Sequence, residues 1–304
     1  MPTHSFLRIL PEVQQALDTG DPVVALESSV FAQGLPVPHN RDAAERMLGA
    51  VRRQGAVPAI TAVANGVPTI GLESDELERF LERDGVRKVS ARDVPLAVAQ
   101  RADGATTVAA SLMLASATTI AVFATGGIGG VHRDAPFDES ADLVELARTP
   151  MLVVCAGAKS ILDLPATWER LETLGVPVIG YQTDEFPGFF TAETGIRLGA
   201  TATTIEEIVS MFRTHRALGR SQAVLVVQPP PAAHALPRAR VEAAVDEAQR
   251  DARQNGIRGA AVTPFLLAAV TRLTDGSSLT ANVALLEQNA ALAGCLATVY
   301  SSRE

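Results

Sequence analysis

GATTVAASLMLASATTIAVFATGGIGGV, residues 104–131, carries no charged side chain. By length it could span a bilayer. Its composition argues otherwise. Five glycines and seven hydroxyl side chains interrupt it, and the glycines Gly126, Gly127, Gly129 and Gly130 cluster at its end. A buried helix, then a buried strand, then a glycine loop fits the pattern better than a membrane helix.

The same alternation extends in both directions. Short β-branched runs at 23–26, 59–63, 69–72, 86–89, 120–123, 152–154, 176–181 and 224–227 read as strands. Helix-period segments at about 40–54, 75–83, 94–101, 107–117, 140–148, 165–174 and 204–218 lie between most of them. After Pro229-Pro230-Pro231 the pattern is helical, at about 238–255, 264–274 and 279–299. Continuous apolar strands separated by helices predict a three-layer α/β/α fold. The expected sheet is mostly parallel but mixed, with a helical C-terminal layer. Residues 1–304 read as one domain.

Composition narrows the function. The net charge of −8 argues against nucleic acid or an anionic membrane as partner. Aromatic residues at 4% make a poor base-stacking platform. Cys155 and Cys295 are the only cysteines, which suggests neither a disulfide framework nor a cysteine zinc site. The first twenty residues carry Glu12 and Asp18 and no apolar signal core, so a cytoplasmic setting is expected.

Only two of the 26 basic residues are lysine, Lys88 and Lys159. A lysine amine can shed its proton and attack a carbonyl carbon, whereas a guanidinium cannot. Lys159 follows an apolar strand, where catalytic groups of such sheets lie, and is read as a functional amine. Lys88 suits catalysis, phosphate binding or an ion pair equally. Glu27 ends the first strong strand and is either a catalytic carboxylate or an ordinary loop residue. The loop 126–133 (GGIGGVHR) follows a strand and ends in His132 and Arg133. Its amides could converge on a phosphate, or it could be a tight turn. It fits neither the dinucleotide nor the P-loop pattern. Asp138, Ser140 and Asp142 surround the start of a helix, as caps or as oxygen ligands of a hard cation.

Together these segments resemble the pseudouridine-5'-phosphate glycosidase family. The resemblance rests on Ala25-Leu26-Glu27-Ser28, Gly34-Leu35-Pro36 with Pro38, Lys88-Val89-Ser90 and GATTVA at 104–109. It continues through FATGGIGGVHR at 123–133, Phe137-Asp138 with SADL at 140–143, AGAKSILD at 156–163, GVPV at 175–178 and TPFLL at 263–267. It implies a lysine imine mechanism with Lys159 as nucleophile and Glu27 as proton donor. Lys88, Val108, Ser140, Ala141 and Asp142 would contact substrate, with Gly129, Gly130 and His132 anchoring the phosphate. Asn282 would lie near the base. Asp138 would serve a divalent ion, manganese by the resemblance, and a homotrimer is implied.

An imine suits the chemistry. A carbon–carbon glycosidic bond has no leaving heteroatom to protonate, so paired-carboxylate hydrolysis does not suffice. An iminium at C1' acts as an electron sink while a carboxylic acid moves protons.

The chain departs from the family pattern at Ser29, Gln33, Ala91, Gln228, Ala260 and Gln288. These changes lean the expectation toward a C-glycosynthase that joins ribose 5-phosphate to an aromatic polyketide. That activity resembles the family's alnumycin offshoot. Reversible joining of uracil and ribose 5-phosphate to pseudouridine 5'-phosphate is the alternative. An inactive sugar-phosphate sensor is a third reading.

Overall fold

The computed structural model describes residues 6–133 and 137–302, without the side chain of Ala260. Its strands are β1 (Arg8–Ile9), β2 (Val23–Glu27), β3 (Val57–Ala64), β4 (Val67–Ile70), β5 (Arg87–Val89), β6 (Gly104–Thr106) and β7 (Val122–Ala124). They continue as β8 (Val131–His132), β9 (Leu152–Cys155), β10 (Leu162–Asp163), β11 (Val178–Tyr181), β12 (Thr201–Ala202) and β13 (Val224–Val227). The helices are α1 (Pro11–Thr19), α2 (His39–Arg53), α3 (Ser74–Glu82), α4 (Val94–Ala99), α5 (Val108–Ala115) and α6 (Ala141–Leu146). After them come α7 (Leu164–Thr173), α8 (Ile205–Ala217), α9 (Arg238–Gln254), α10 (Val262–Leu273) and α11 (Ser277–Ser301).

The main sheet runs β1-β4-β3-β2-β7-β9-β13-β11-β12, with β6 joining β5 to β3. From β3 through β12 the neighbours are parallel. β4 and β6 run antiparallel to β3, which makes the sheet mixed. Helices cover both faces, as expected from strands without a polar side. β2, β9 and β13 are buried along their whole length.

The stretch 104–131 folds as β6, α5, β7 and the glycine loop. Its buried hydroxyls are satisfied inside the protein. The Thr106 amide donates to Ser28 Oγ at 2.8 Å, and Thr106 Oγ1 donates to the Thr61 carbonyl at 2.7 Å. Ser111 Oγ donates to Thr106 Oγ1 at 3.0 Å. These bonds tie β2, β3, β6 and α5 together without leaving buried polar groups unpaired.

α11 is the one described helix long and apolar enough to cross a membrane. Here it packs beside α2 and over β2, β7 and β9, with Leu286, Ala290, Ala293 and Leu296 wholly buried.

Two features escape the strand-and-helix pattern. α1 has too weak an apolar stripe to show in the pattern; it buries only Val13 and Ala16. A π-helical turn at Val30–Gly34 follows β2, and such turns recur near functional sites. β4 stops at Ile70, short of the expected Leu72, because Gly71 takes a left-handed turn (φ 87°) against Leu10.

Candidate active site

The carboxyl ends of parallel strands meet at one place in such sheets. Here β2 delivers Glu27, β7 leads into Thr125 and the glycine loop, and β9 leads to Lys159. The β2–β7 register pairs Leu26 with Ala124, so the next residues, Glu27 and Thr125, are neighbours. Thr125 Oγ1 donates to Glu27 Oε1, and Ser29 Oγ donates to Glu27 Oε2 at 2.6 Å. Glu27 is only 2% exposed, so these two hydroxyls serve both oxygens of a buried carboxyl group. Ser29 departs from the family's threonine but keeps the hydroxyl that matters here.

The segment after β9 is stitched to the glycine loop. Ala156 N–H donates to the Gly126 carbonyl at 2.8 Å, Ile128 N–H to the Gly157 carbonyl at 3.0 Å and Lys159 N–H to the Ile128 carbonyl at 3.1 Å. Gly157 has φ +76°, and a Cβ there would lie 1.9 Å from the Pro187 carbonyl oxygen. Only glycine permits this crossing. It sets the path that brings Lys159 to the pocket.

Glu27, Lys88, Lys159 and Asn282 line one cavity of about 40 Å³, together with Ser29, Gln33 and Thr125. Neither lysine ammonium makes a hydrogen bond or ion pair with a described residue. Lys88 keeps solvent access, but its ammonium lies below its usual range. Partial desolvation is the main cause and the Lys159 charge adds to it, against opposing pulls from Glu27 and Asp142. His132 is also held below its ordinary range by desolvation. Asp138 opposes that shift, while Lys159 and Lys88 reinforce it. His132 therefore lies within electrostatic reach of both lysines without lining the cavity.

The remaining expected site residues flank the cavity, and several have structural duties. Asp142 is 5% exposed, and its two oxygens accept the amides of Ala109 at 2.9 Å and Gly129 at 2.8 Å. Ser140 caps α6 by accepting from Asp142 N–H at 3.2 Å. Ala141 is exposed and Val108 buried at the first turn of α5.

Four amides of the expected phosphate loop are taken up inside the protein, so a phosphate there would be met by the others. The amides of Ile128, Gly129, Val131 and His132 donate to Gly157, Asp142, Thr167 and Asp138 respectively. The glycines also permit close packing. A Cβ on Gly129 would lie 2.5 Å from Ser140 Cβ, and one on Gly130 would lie 2.3 Å from Thr167 Oγ1.

Two departures expected to reshape the acceptor site lie behind it. Gln288 Nε2 donates to Gln228 Oε1 at 2.8 Å, and Gln228 Nε2 donates to Asn289 Oδ1 at 2.9 Å. Asn289 Nδ2 in turn donates to the carbonyl of Thr125 at 2.8 Å. The two glutamines thus pair with each other in a chain that supports Thr125. Ala91 sits in a short turn away from the cavity, and the Ala260 side chain falls outside the described residues. Of the departures, Gln33 and Ser29 line the cavity.

Asp138 is the residue expected to serve a divalent cation. Among the described residues no three His, Cys, Asp or Glu side chains gather to form a cage. Asp138 is exposed. That fits a hard cation that keeps most of its waters and takes one or two carboxylates.

Fold and site together define an α/β enzyme with a lysine and a buried carboxyl group at the strand ends. The chain belongs to the indigoidine synthase A-like family, the family of the pseudouridine-5'-phosphate glycosidases. The model of that family, "Indigoidine synthase A like protein", matches residues 12–299. A pseudouridine-5'-phosphate glycosidase of Gemmatimonas aurantiaca is 62% identical over 290 residues, covering 95% of each chain. One of Chloroflexus aurantiacus is 53% identical over 301 residues, covering 97% of this chain and 99% of that one. The crystal structure of the prealnumycin C-glycosynthase AlnA with ribulose 5-phosphate matches with a TM-score of 0.91 at 38% identity, covering 98% of each chain. An indigoidine synthase A-like protein of Thermotoga maritima matches with a TM-score of 0.91 at 33% identity, covering 99% of each chain.

Proposed function

We propose that the protein is a pseudouridine-5'-phosphate glycosidase, interconverting pseudouridine 5'-phosphate with uracil and ribose 5-phosphate. The observation that carries this is the pairing, in one pocket, of the partner-free Lys159 with a Glu27 held by two hydroxyls. Relatives at 62% and 53% identity bearing that name support the substrate. The aromatic-acceptor reading has less support. Its relative AlnA is 38% identical, and Gln228 and Gln288, which had favoured it, bond each other behind the site. A sensor would have no use for a lysine and a carboxyl group arranged for proton transfer.

In cleavage, Lys159 Nζ bonds to C1' as the C1'–O4' bond breaks, and the proton shed by the attacking amine passes to O4', opening the ring. The nitrogen lone pair then forms the iminium as the C1'–C5 bond breaks, and its electrons pass to uracil C5. Glu27 supplies the proton to C5. Water hydrolyses the imine, releasing ribose 5-phosphate and the free lysine. Lys88, beside Lys159, offers charge to the sugar phosphate. Asp138 would hold a divalent cation, manganese by the family resemblance, which when bound supplies positive charge beside the phosphate. A homotrimer in the cytoplasm belongs to the same proposal. The exposed Phe137, with 99% of its surface free in one chain, is a side chain that assembly would cover.

The test is direct. Wild-type protein with ribose 5-phosphate and manganese should convert uracil to pseudouridine 5'-phosphate, followed by mass spectrometry. Lys159→Ala should bind substrate and give no product. Product with a dihydroxynaphthoquinone-type aromatic but none with uracil would overturn the proposal.

A further inference from the structure

A second chamber of about 370 Å³ opens directly off the reaction cavity. The two share Gln33, Gly34, Pro264, Leu267 and Asn282 as common wall. A cavity of 40 Å³ holds about three waters, not a pentose and a base. Bound substrate must therefore extend beyond it. Much of the outer chamber's wall is apolar, as the faces of a heteroaromatic ring require.

The polar groups on that wall form a pattern. Six buried side-chain polar atoms lack a hydrogen-bond partner among the described residues. Four of them belong to three residues lining this chamber: Gln33 Oε1, Asn282 Oδ1, and Arg83 Nε and Nη2. Buried polar groups are normally paired, so such a concentration marks a place for a ligand. Gln33 Nε2 donates to the Val86 carbonyl at 3.3 Å, which fixes the amide with its oxygen free. Arg83 takes a left-handed backbone (φ 70°) at the end of α3, an uncommon conformation for a side chain of this size. Burial alone lowers its pKa, and no carboxylate offsets it.

We infer that Arg83 and Gln33, beside the Asn282 that the family resemblance already places near the base, read the N1–C2–N3 edge of the pyrimidine and so select uracil as the ring partner. The inference rests on the glycosidase reading above. In uracil, C2 lies across the ring from C5. With C5 at the sugar's C1', the edge carrying N1–H, the C2 carbonyl and N3–H points away from Lys159. That edge presents donor, acceptor and donor. The unpartnered atoms offer the complement: two amide oxygens to accept and a guanidinium to donate. A phosphate dianion fits the chamber less well, because two carbonyl oxygens would face it.

The test varies uracil in the synthetic direction at saturating ribose 5-phosphate. Arg83→Met should raise the KM for uracil about tenfold or more, the loss of a charge-assisted hydrogen bond. Gln33→Met, a second variant, should move it in the same direction. Wild-type protein should disfavour 2-thiouracil, whose sulfur accepts poorly, whereas Arg83→Met should treat the two bases alike. In parallel, borohydride trapping of ribose 5-phosphate on wild-type Lys159 is read by mass spectrometry and needs no base. No trapped adduct would overturn the glycosidase reading. A trapped adduct with uracil KM unchanged in both variants would overturn the inference alone. So would a loss in Arg83→Met that falls on ribose 5-phosphate instead of uracil.

Discussion

Replacing Thr125 with valine keeps the side chain's shape and removes one hydroxyl. Thr125 is wholly buried, and its hydroxyl donates to Glu27 Oε1. Its backbone remains anchored, since its amide donates to the Val154 carbonyl at 3.0 Å and its carbonyl accepts from Asn289 at 2.8 Å. The variant should therefore fold with the site intact except for that bond. A hydrogen bond to a charged group contributes about 1.5–3 kcal/mol. If the bond acts while Glu27 exchanges its proton, kcat falls by about 10- to 150-fold. KM should stay near the wild-type value, because the hydroxyl is engaged by Glu27. Thr125→Ser keeps the donor and should recover most of the rate. The assay is steady-state cleavage of pseudouridine 5'-phosphate, with urea unfolding as the control for folding. A folded valine variant with wild-type kcat would refute the reasoning: Glu27 would then not depend on Thr125 for its reactive position.

Gly157→Ala forces a Cβ to within 1.9 Å of the Pro187 carbonyl oxygen at a left-handed backbone position. The backbone penalty of about 1–2 kcal/mol and overpacking of about 1–3 kcal/mol should lower stability to urea and abolish imine trapping. Gly199→Ala, with nothing within 4 Å, should unfold like wild type. Burial pushes the Cys155 thiol from 9.0 up to about 12, so native protein should be alkylated at Cys295 long before Cys155. Because the folded pKa is the higher one, the thiol's contribution to stability is complete below about pH 9. It should decline by up to about 1.4 kcal/mol per pH unit between the unfolded and folded values, and Cys155→Ala should lack this component in alkaline urea titrations.

Much of this protein is written in local sequence. Strands such as VLVV at 224–227 and helices such as 238–254 announce themselves by period and composition, because burial on both faces or on one stripe leaves few residue choices. Lys159 and Glu27 are legible for a related reason: each follows an apolar run, and strand ends are where such sheets place chemistry. α1 was harder to see, since two buried residues make a weak stripe.

What the sequence alone determined is the layered α/β class, the pair of lysines and the family motifs that enclose them. Tertiary structure decided how those parts are used. Thr125 and Glu27 are 98 positions apart and meet only through the β2–β7 register. Gln228 and Gln288, 60 positions apart, become a mutual pair only when α11 lies across the strand ends. The glycine loop gained a packing role that its sequence did not show, because part of its amides found Asp142, Thr167 and Gly157. Periodicity reports which side of an element is buried, a local property set by one chain segment. Hydrogen-bond partners depend on register and closure between distant segments, and no single segment carries that information.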